Sequence, residues 1–222
     1  MIPVPEIARR PDLRSAISLE AAHLINELLF DIPDAMSDPC EAVVIFGSVY
    51  PENRGQIAST FREVHASLNP RVVFITGGVT RDGAIPESEG ILSALGPEKY
   101  PQVEFRLDRT STNTLDNVLR ARDLGLAEFE EIFFVAIAPH CGRCKLTLAQ
   151  HLPGKKIRHR GYLDAIYADG LRITRDTWHL EPETSKLVWG EVLRIEKYGT
   201  RGDIAYPAEI AKKITRIKSL VC

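Results

Sequence analysis

Three short runs, Ala42–Phe46, Val72–Thr76 and Ile132–Ile137, are rich in Val, Ile and Phe and do not alternate with polar residues. That pattern belongs to parallel strands covered on both faces. Val103–Leu107 and Lys156–His159 complete a set of five expected strands. Between strands the apolar spacing changes to three or four, with Ile57, Phe61, Val64 and Leu68 in one segment and Leu115, Val118, Leu119 and Ala121 in another. Those are helical faces. Strand and helix in alternation predict an α/β chain built on a doubly wound parallel sheet.

Two flanks extend this core. Ser18–Phe30 reads as a helix ahead of the first strand, with Leu19, Ala22, His23, Asn26 and Leu29 at mixed positions. Beyond Gly161 the periodicity loosens. A helix is expected from Thr184 to about Lys197, a break at Tyr198–Asp203, and a last helix over Ala208–Ser219. The expected organisation is a helical extension over 1–39, an α/β domain over 40–160, and a helical C-terminal portion over 161–222 packed on the core.

Composition narrows the class of function. A formal net charge of −2 provides no global basic field to draw the chain to nucleic acid or an anionic membrane. No apolar run reaches the roughly 18 residues of a membrane span, and Met1–Glu6 lacks the basic head and apolar middle of a secretory signal. A cytoplasmic protein with a small-molecule ligand is expected; protein partners are left open. Four cysteines in 222 residues are too few for a disulfide framework.

Candidate chemistry sits where expected strands end. The densest signal is Asp108-Arg-Thr-Ser-Thr-Asn-Thr-Leu-Asp-Asn117, a polar run between the third strand and the next helix. Open α/β sheets place ligand-contacting loops there. The run also contains a plain capping signal, Asn113 as N-cap with Asp116 three residues on. Gly47-Ser48 and Gly77-Gly78 end the first two strands and offer backbone amides with room for close approach. Neither is a dinucleotide fingerprint or a phosphate loop. Pro86-Glu87-Ser88-Glu89 opens a helix, where acids answer the macrodipole.

Pro139-His140-Cys141-Gly142-Arg143-Cys144 follows the fourth strand. His140 and Arg143 at a helix N-terminus suit an anionic group. Cys141 and Cys144 read three ways: a redox pair, zinc ligands with His140 and His151, or buried, inert thiols, the reading adopted here. Lys155, Lys156, Arg158, His159 and Arg160 read most simply as solvated charge on an edge strand, with a phosphate or sulfate receptor as the alternative.

Taken in order, these loops resemble the YdcF/SanA family, and its soluble YdcF-type branch in particular. The matching elements are Val44-Ile-Phe-Gly47, Thr76-Gly77-Gly78 and Ser88-Glu89. Ser111-Thr112-Asn113-Thr114-Leu115-Asp116-Asn117 matches the family's Ser-Thr-x-Thr-x-Glu-Asn, and His140-Cys-Gly-Arg143 its His-x-x-Arg. The likeness covers about residues 40–155 and continues weakly through Gly190-Glu191 and Tyr198–Gly202. It implies a Rossmann-like three-layer α/β/α core with a mostly parallel sheet, a polar pocket above the strand ends, and a small helical C-terminal portion. YdcF-type members are linked to S-adenosylmethionine, which makes that the expected cofactor. The chain departs from the family at Asp108 and Asp116, where Glu is usual.

Three functions follow. The first is a small-molecule-binding protein or enzyme. In it Gly47, Ser48, Gly77 and Gly78 give amides, Ser111, Thr114 and Asn117 orient the ligand, and Glu89 and Asp116 accept from it. Arg143 pairs with its anionic group, and His140 transfers a proton. The second is a hydrolase of a phosphorylated or nucleotide-like substrate, with a divalent metal on Asp116 and Glu89. The third is a non-catalytic sensor or interaction module.

Overall fold

The computed structural model describes residues 17–30, 36–79, 85–162, 165–167 and 170–221. Five parallel strands form one sheet in the order β3-β2-β1-β4-β5. They are β1 (Ala42–Ile45), β2 (Val72–Ile75), β3 (Glu104–Leu107), β4 (Glu131–Ile137) and β5 (Lys156–Tyr162). The sequence runs without alternation because both faces are covered. Val43, Ile45, Val73, Ile75, Phe133 and Val135 meet one helical layer. Ala42, Val44, Val72, Phe74, Ile132, Phe134 and Ala136 meet the other. Helices α2 (Arg54–Leu68) and α3 (Glu87–Leu95) lie on the first face, and α4 (Thr114–Asp123) and α5 (Cys141–His151) on the second. The chain is a Rossmann-like three-layer α/β/α fold.

Three further helices form a cap: α1 (Leu19–Leu29), α6 (Pro182–Arg201) and α7 (Ala208–Val221). Between sheet and cap runs a short antiparallel ribbon, β6 (Ala165–Ile166) with β7 (Arg172–Ile173). Helix α1 starts where Ser18 caps the amide of Ala21. It buries Ala21, Ala22, Ile25, Leu28 and Leu29 and leaves Leu19 exposed, so its buried face is rotated from the mixed set read in the sequence. These side chains share one cluster with Trp178, Val188, Val192, Ile195, Ile214 and Ile217. The N-terminal helix and the C-terminal helices therefore bury a single apolar core, although more than 140 residues separate them. Gly142 on α5 lets α1 lie close against that helix: a Cβ there would collide with the backbone oxygen of Leu28.

Two expectations change on contact with the structure. Helix α6 does not break at Tyr198 but runs on to Arg201 and ends at Gly202, in the left-handed region at φ 81°. Gly199 stays helical because the ring of Tyr206 packs where a side chain would stand. β5 is the edge strand expected and Lys156 on it is exposed, but the basic run is not all solvated. Arg158 is buried, paired with Glu131 and donating to the carbonyl of Asp38, and His159 stacks on Phe134 at 4.9 Å. Lys155, Lys156 and Arg160 pair with Glu130, Glu131 and Glu63. Each of the four lysines and arginines has an acidic neighbour brought alongside by the fold.

Candidate functional site

The strand order fixes where a ligand fits. The helix after β1 covers one face and the helix after β4 the other, so the chain diverges between these adjacent strands and opens a crevice at their carboxyl ends. A cavity of about 360 Å³ occupies this position, a size typical of small-molecule sites. The β1 loop contributes Gly47, Ser48, Val49 and Tyr50, and β4 with its following turn contributes Ile137, Pro139 and His140. Arg143 comes from α5, Tyr167 and Ile173 from the ribbon, and Leu187, Glu191 and Arg194 from α6.

Asn53 holds the β1 side in place. It is fully buried, and its amide donates to Ser48 Oγ (3.2 Å) and to the carbonyl of Ile166 (3.0 Å). Its oxygen accepts from the Ile166 amide at 2.8 Å. One side chain thus ties the Ser48 loop to the ribbon that carries Tyr167, whose ring lies 5.8 Å from that of Tyr50.

Opposite lies a polar cluster drawn from three helices and the β4–α5 turn. Arg143 donates through Nε to Glu191 Oε2 (2.9 Å) and through Nη1 to Thr114 Oγ1 (2.6 Å). Its Nη2 lies 2.8 Å from His140 Nδ1, and His140 Nε2 lies 3.0 Å from Thr114 Oγ1. A guanidinium can only donate, so Nδ1 accepts, and the ring proton sits on Nε2 and points to the threonine. Arg194 Nη1 donates to the second Glu191 oxygen at 2.6 Å. The Arg143 guanidinium also packs over the ring of Tyr198 at 5.8 Å.

Burial, and then the charge of Arg143, hold the His140 imidazole below its usual range, and Glu191 only partly offsets them. It is neutral at physiological pH. Burial pushes the Glu191 carboxyl up, but Arg143 and Arg194 outweigh this and hold it well below the usual carboxylate range. The cavity wall therefore carries two guanidiniums, one carboxylate and a neutral imidazole.

Four of the residues singled out in the sequence, Gly47, Ser48, His140 and Arg143, line this cavity, and Thr114 braces two of them. The rest of the proposed set has other work. Asp108 accepts from the amides of Gly77 (3.4 Å), Thr110 (2.8 Å) and Ser111 (3.2 Å). Ser111 bridges Asp108 and Asn117. The Gly77 amide is thus already used, and the Gly78 amide donates to the Ser111 carbonyl at 2.8 Å. A side chain on Gly78 would strike the backbone of the 109–111 segment, so that glycine serves the packing of two loops. Asn113 caps α4 through the Asp116 amide (3.0 Å), and its Nδ2 donates to the Asp116 carboxylate (2.6 Å). Glu89 accepts from Arg109 Nε at 2.6 Å near the surface. Asp116 and Glu89 are therefore corrected as ligand acceptors: neither lines the cavity, because the helix start and an arginine hold them.

The two thiols of the α5 turn are fully buried in the sheet–helix core, and burial pushes the Cys144 thiol well up. His140 lines the cavity, while His151 lies within 2.9 Å of the Asp203 carbonyl, so the proposed zinc set does not converge. Glu191, Arg194 and Asn53 are the residues the sequence reading leaves out. Gly190-Glu191 is matched there only as part of a family tail. The signal that would have raised it is Glu191-x-x-Arg194 on a helix whose opposite face is apolar.

No family model matches the chain, and no curated protein matches it. Among the described residues no helix is long and apolar enough to cross a membrane. Five solved chains match in three dimensions. One is the E. coli tRNA N6-threonylcarbamoyladenosine dehydratase TcdA, in complex with AMP. It covers 90% of this chain and 90% of its own, at 8% identity and a TM-score of 0.39. A likeness at that level does not carry a ligand or an activity across.

Proposed function

We propose that the cavity between β1 and β4 binds a small molecule by its oxyanion, a carboxylate or phosphate held between Arg143 and Arg194. The single observation that carries this is that two guanidiniums, Arg143 and Arg194, stand in the described lining of one cavity, on either side of the Glu191 carboxylate. Arginine presents a donor fork matched to such groups. Val49, Tyr50, Tyr167, Ile173 and Leu187 give the remainder of the wall an apolar and aromatic character suited to the body of the ligand.

The YdcF resemblance adds S-adenosylmethionine as a first candidate, its carboxylate meeting the arginines. A phosphorylated ligand is the second reading, favoured by the Ser48 hydroxyl across the cavity from the arginines. A hydrolase with a metal on Asp116 and Glu89 draws no support from the site, since both carboxylates are held by other partners. Catalysis by His140 requires a ligand to displace Thr114 or Arg143 from one ring nitrogen.

Thermal-shift titration with S-adenosylmethionine, inorganic phosphate and pyrophosphate tests the reading. A ligand at a hundred times its Kd adds about 2.7 kcal/mol of stability. The shift is expected to disappear in Arg143→Gln and in Arg194→Gln, with circular dichroism confirming that each variant folds. A shift that survives both substitutions places the ligand elsewhere.

A further inference from the structure

Two phenol rings, Tyr50 and Tyr167, stand in the lining of the cavity, with centroids 5.8 Å apart and planes inclined at 56°. Hydrogen bonds fix the backbone that carries each. Ser48 Oγ accepts from the Tyr50 amide (3.3 Å) and from Asn53 Nδ2 (3.2 Å). The same Asn53 side chain holds the carbonyl and the amide of Ile166, next to Tyr167. The Tyr167 amide donates to the Leu171 carbonyl (2.9 Å), and its own carbonyl accepts from the Gly170 amide (3.1 Å). A fully buried asparagine thus pins together two segments 113 residues apart, each of which places one ring beside the cavity. Rings held in this way lose little freedom when a ligand packs on them.

This end differs in chemistry from the arginine wall. Val49, Ile173 and Leu187 join the rings there. Burial, and then the charge of Glu191, push the Tyr167 phenol well above its ordinary range, so it stays uncharged. The Glu87 carboxylate packs against Gly47, where a Cβ would strike it, and so disfavours a second anion at the β1 loop.

We propose that Tyr50 and Tyr167 form an aromatic subsite, and that the anion held by Arg143 and Arg194 carries a planar aromatic body. The inference rests on the oxyanion site proposed above and names the remainder of its ligand: an aryl oxyanion with one charged group. Aromatic rings favour offset or edge-to-face contact at centroid separations of about 4.5–7 Å. A ligand ring therefore packs on this tilted pair without being sandwiched. An aliphatic body of equal size fills the same space and forgoes the ring contact.

The test titrates two matched pairs by NMR, phenyl phosphate against cyclohexyl phosphate and benzoate against cyclohexanecarboxylate. The tighter pair identifies the oxyanion, and the ratio within it reads the subsite. The aromatic member is expected to bind the wild type roughly tenfold more tightly. Tyr50→Leu and Tyr167→Leu should each bring that ratio close to one and leave inorganic phosphate within about twofold of the wild type. Tyr50→Phe should keep the ratio, and circular dichroism checks that each variant folds.

Equal binding within both pairs, with affinity lost in Arg143→Gln, would overturn the aromatic subsite and leave the oxyanion site standing. A ratio that persists in both leucine variants would also overturn it, because the preference then arises elsewhere. Phosphocholine binding more tightly than phenyl phosphate would replace the aromatic body with a cationic one, which also seeks ring faces. Aryl binding lost in Tyr50→Leu but kept in Arg143→Gln and Arg194→Gln would support the subsite and remove the oxyanion site. Failure of every probe to bind the wild type would remove both.

Discussion

The β3–α4 loop and the wall shared by α5 and α6 are both dense in polar side chains at the carboxyl ends of strands, yet they do opposite things. In the loop nearly every polar group is answered from within eight residues. Asp108 takes the amides of Thr110 and Ser111, Ser111 reaches Asn117, and Asn113 closes on Asp116. At the wall the partners come from far along the chain: Arg143 to Glu191 spans 48 residues and Arg143 to Thr114 spans 29. The loop is satisfied within itself and with Gly77 and Gly78, and it seals the structure. The wall joins the sheet layer to the cap, sets two arginines beside one carboxylate, and faces a cavity. A crowded polar run in sequence is thus evidence of local closure at least as much as of a ligand site.

The largest effect that can break this comparison is the removal of Glu191. Glu191→Ala leaves Arg143 and Arg194 without their shared acceptor in a half-buried wall, which costs about 3–5 kcal/mol. For a chain of this size that is a fall in Tm on the order of 10 °C, read by differential scanning calorimetry. Asp108→Ala strips three amides of their acceptor and is expected to cost about 2–3 kcal/mol, with anion affinity changed less than threefold. Should Asp108→Ala abolish anion binding while Glu191→Ala leaves it intact, the two regions have been assigned the wrong way round.

Thr114 belongs to the loop by sequence and to the wall by contact, so it sharpens the boundary. Thr114→Val keeps the shape and removes the oxygen that serves Arg143 and His140. The expected loss is about 1–2 kcal/mol of stability, and phosphate binding weakened by roughly tenfold. Thr114→Ser should restore both. A valine variant that melts lower but binds normally would confine Thr114 to the loop's structural role.

Such differences follow from what a sequence can display. The strands were legible because two-sided burial leaves an unbroken apolar run, and the α2 face because Ile57, Phe61, Val64 and Leu68 are spaced for a helix. Asn113 and Asp116 were legible as a cap because capping is local. Half of the wall, His140 and Arg143, was legible for the same reason, as a pair three apart at a helix start. Glu191 and Arg194 were not, because nothing near them in sequence marks α6 as packing on α5 and the β4–α5 turn. Arg158 and His159 were misread as solvated because burial of β5 depends on Asp38, Glu131 and Phe134, all distant in the chain.

A smaller effect separates the regions by pH. Burial and Arg143 depress the His140 pKa below its ordinary 6.5. In the unfolded chain the imidazole takes up a proton as pH falls through that value, while the folded one resists. Stability is therefore complete above about pH 6.5 and declines as pH drops toward the folded pKa. Glu191, Arg143 and Arg194 are the charged groups around this ring; only the Glu191 carboxyl among them titrates on the acid side, and its window opens below its ordinary 4.5. A Tm-against-pH profile should thus slope as pH falls below 6.5 in the wild type and flatten in His140→Gln. An equal slope in both would mean that the imidazole is not held neutral.

The smallest effects concern the two carboxylates corrected above. The Glu89–Arg109 pair is well exposed, and exposed pairs contribute about 0–1 kcal/mol. Glu89→Gln is accordingly expected to shift Tm by no more than a degree or two and to leave anion affinity unchanged. Asp116→Asn keeps a first-turn side chain that still reaches Asn113, and the amide that Asn113 caps belongs to the backbone, so the cap survives. Its expected change is also within about 0.5 kcal/mol. The informative readout is binding, because it asks whether a carboxylate is needed where the sequence, but not the cavity, placed one. A loss of affinity of tenfold or more in either variant would draw the β3–α4 loop into the ligand site and dissolve the contrast between the two regions. Unchanged affinity in both, against its loss in Arg143→Gln, would leave the loop to seal and the wall to bind.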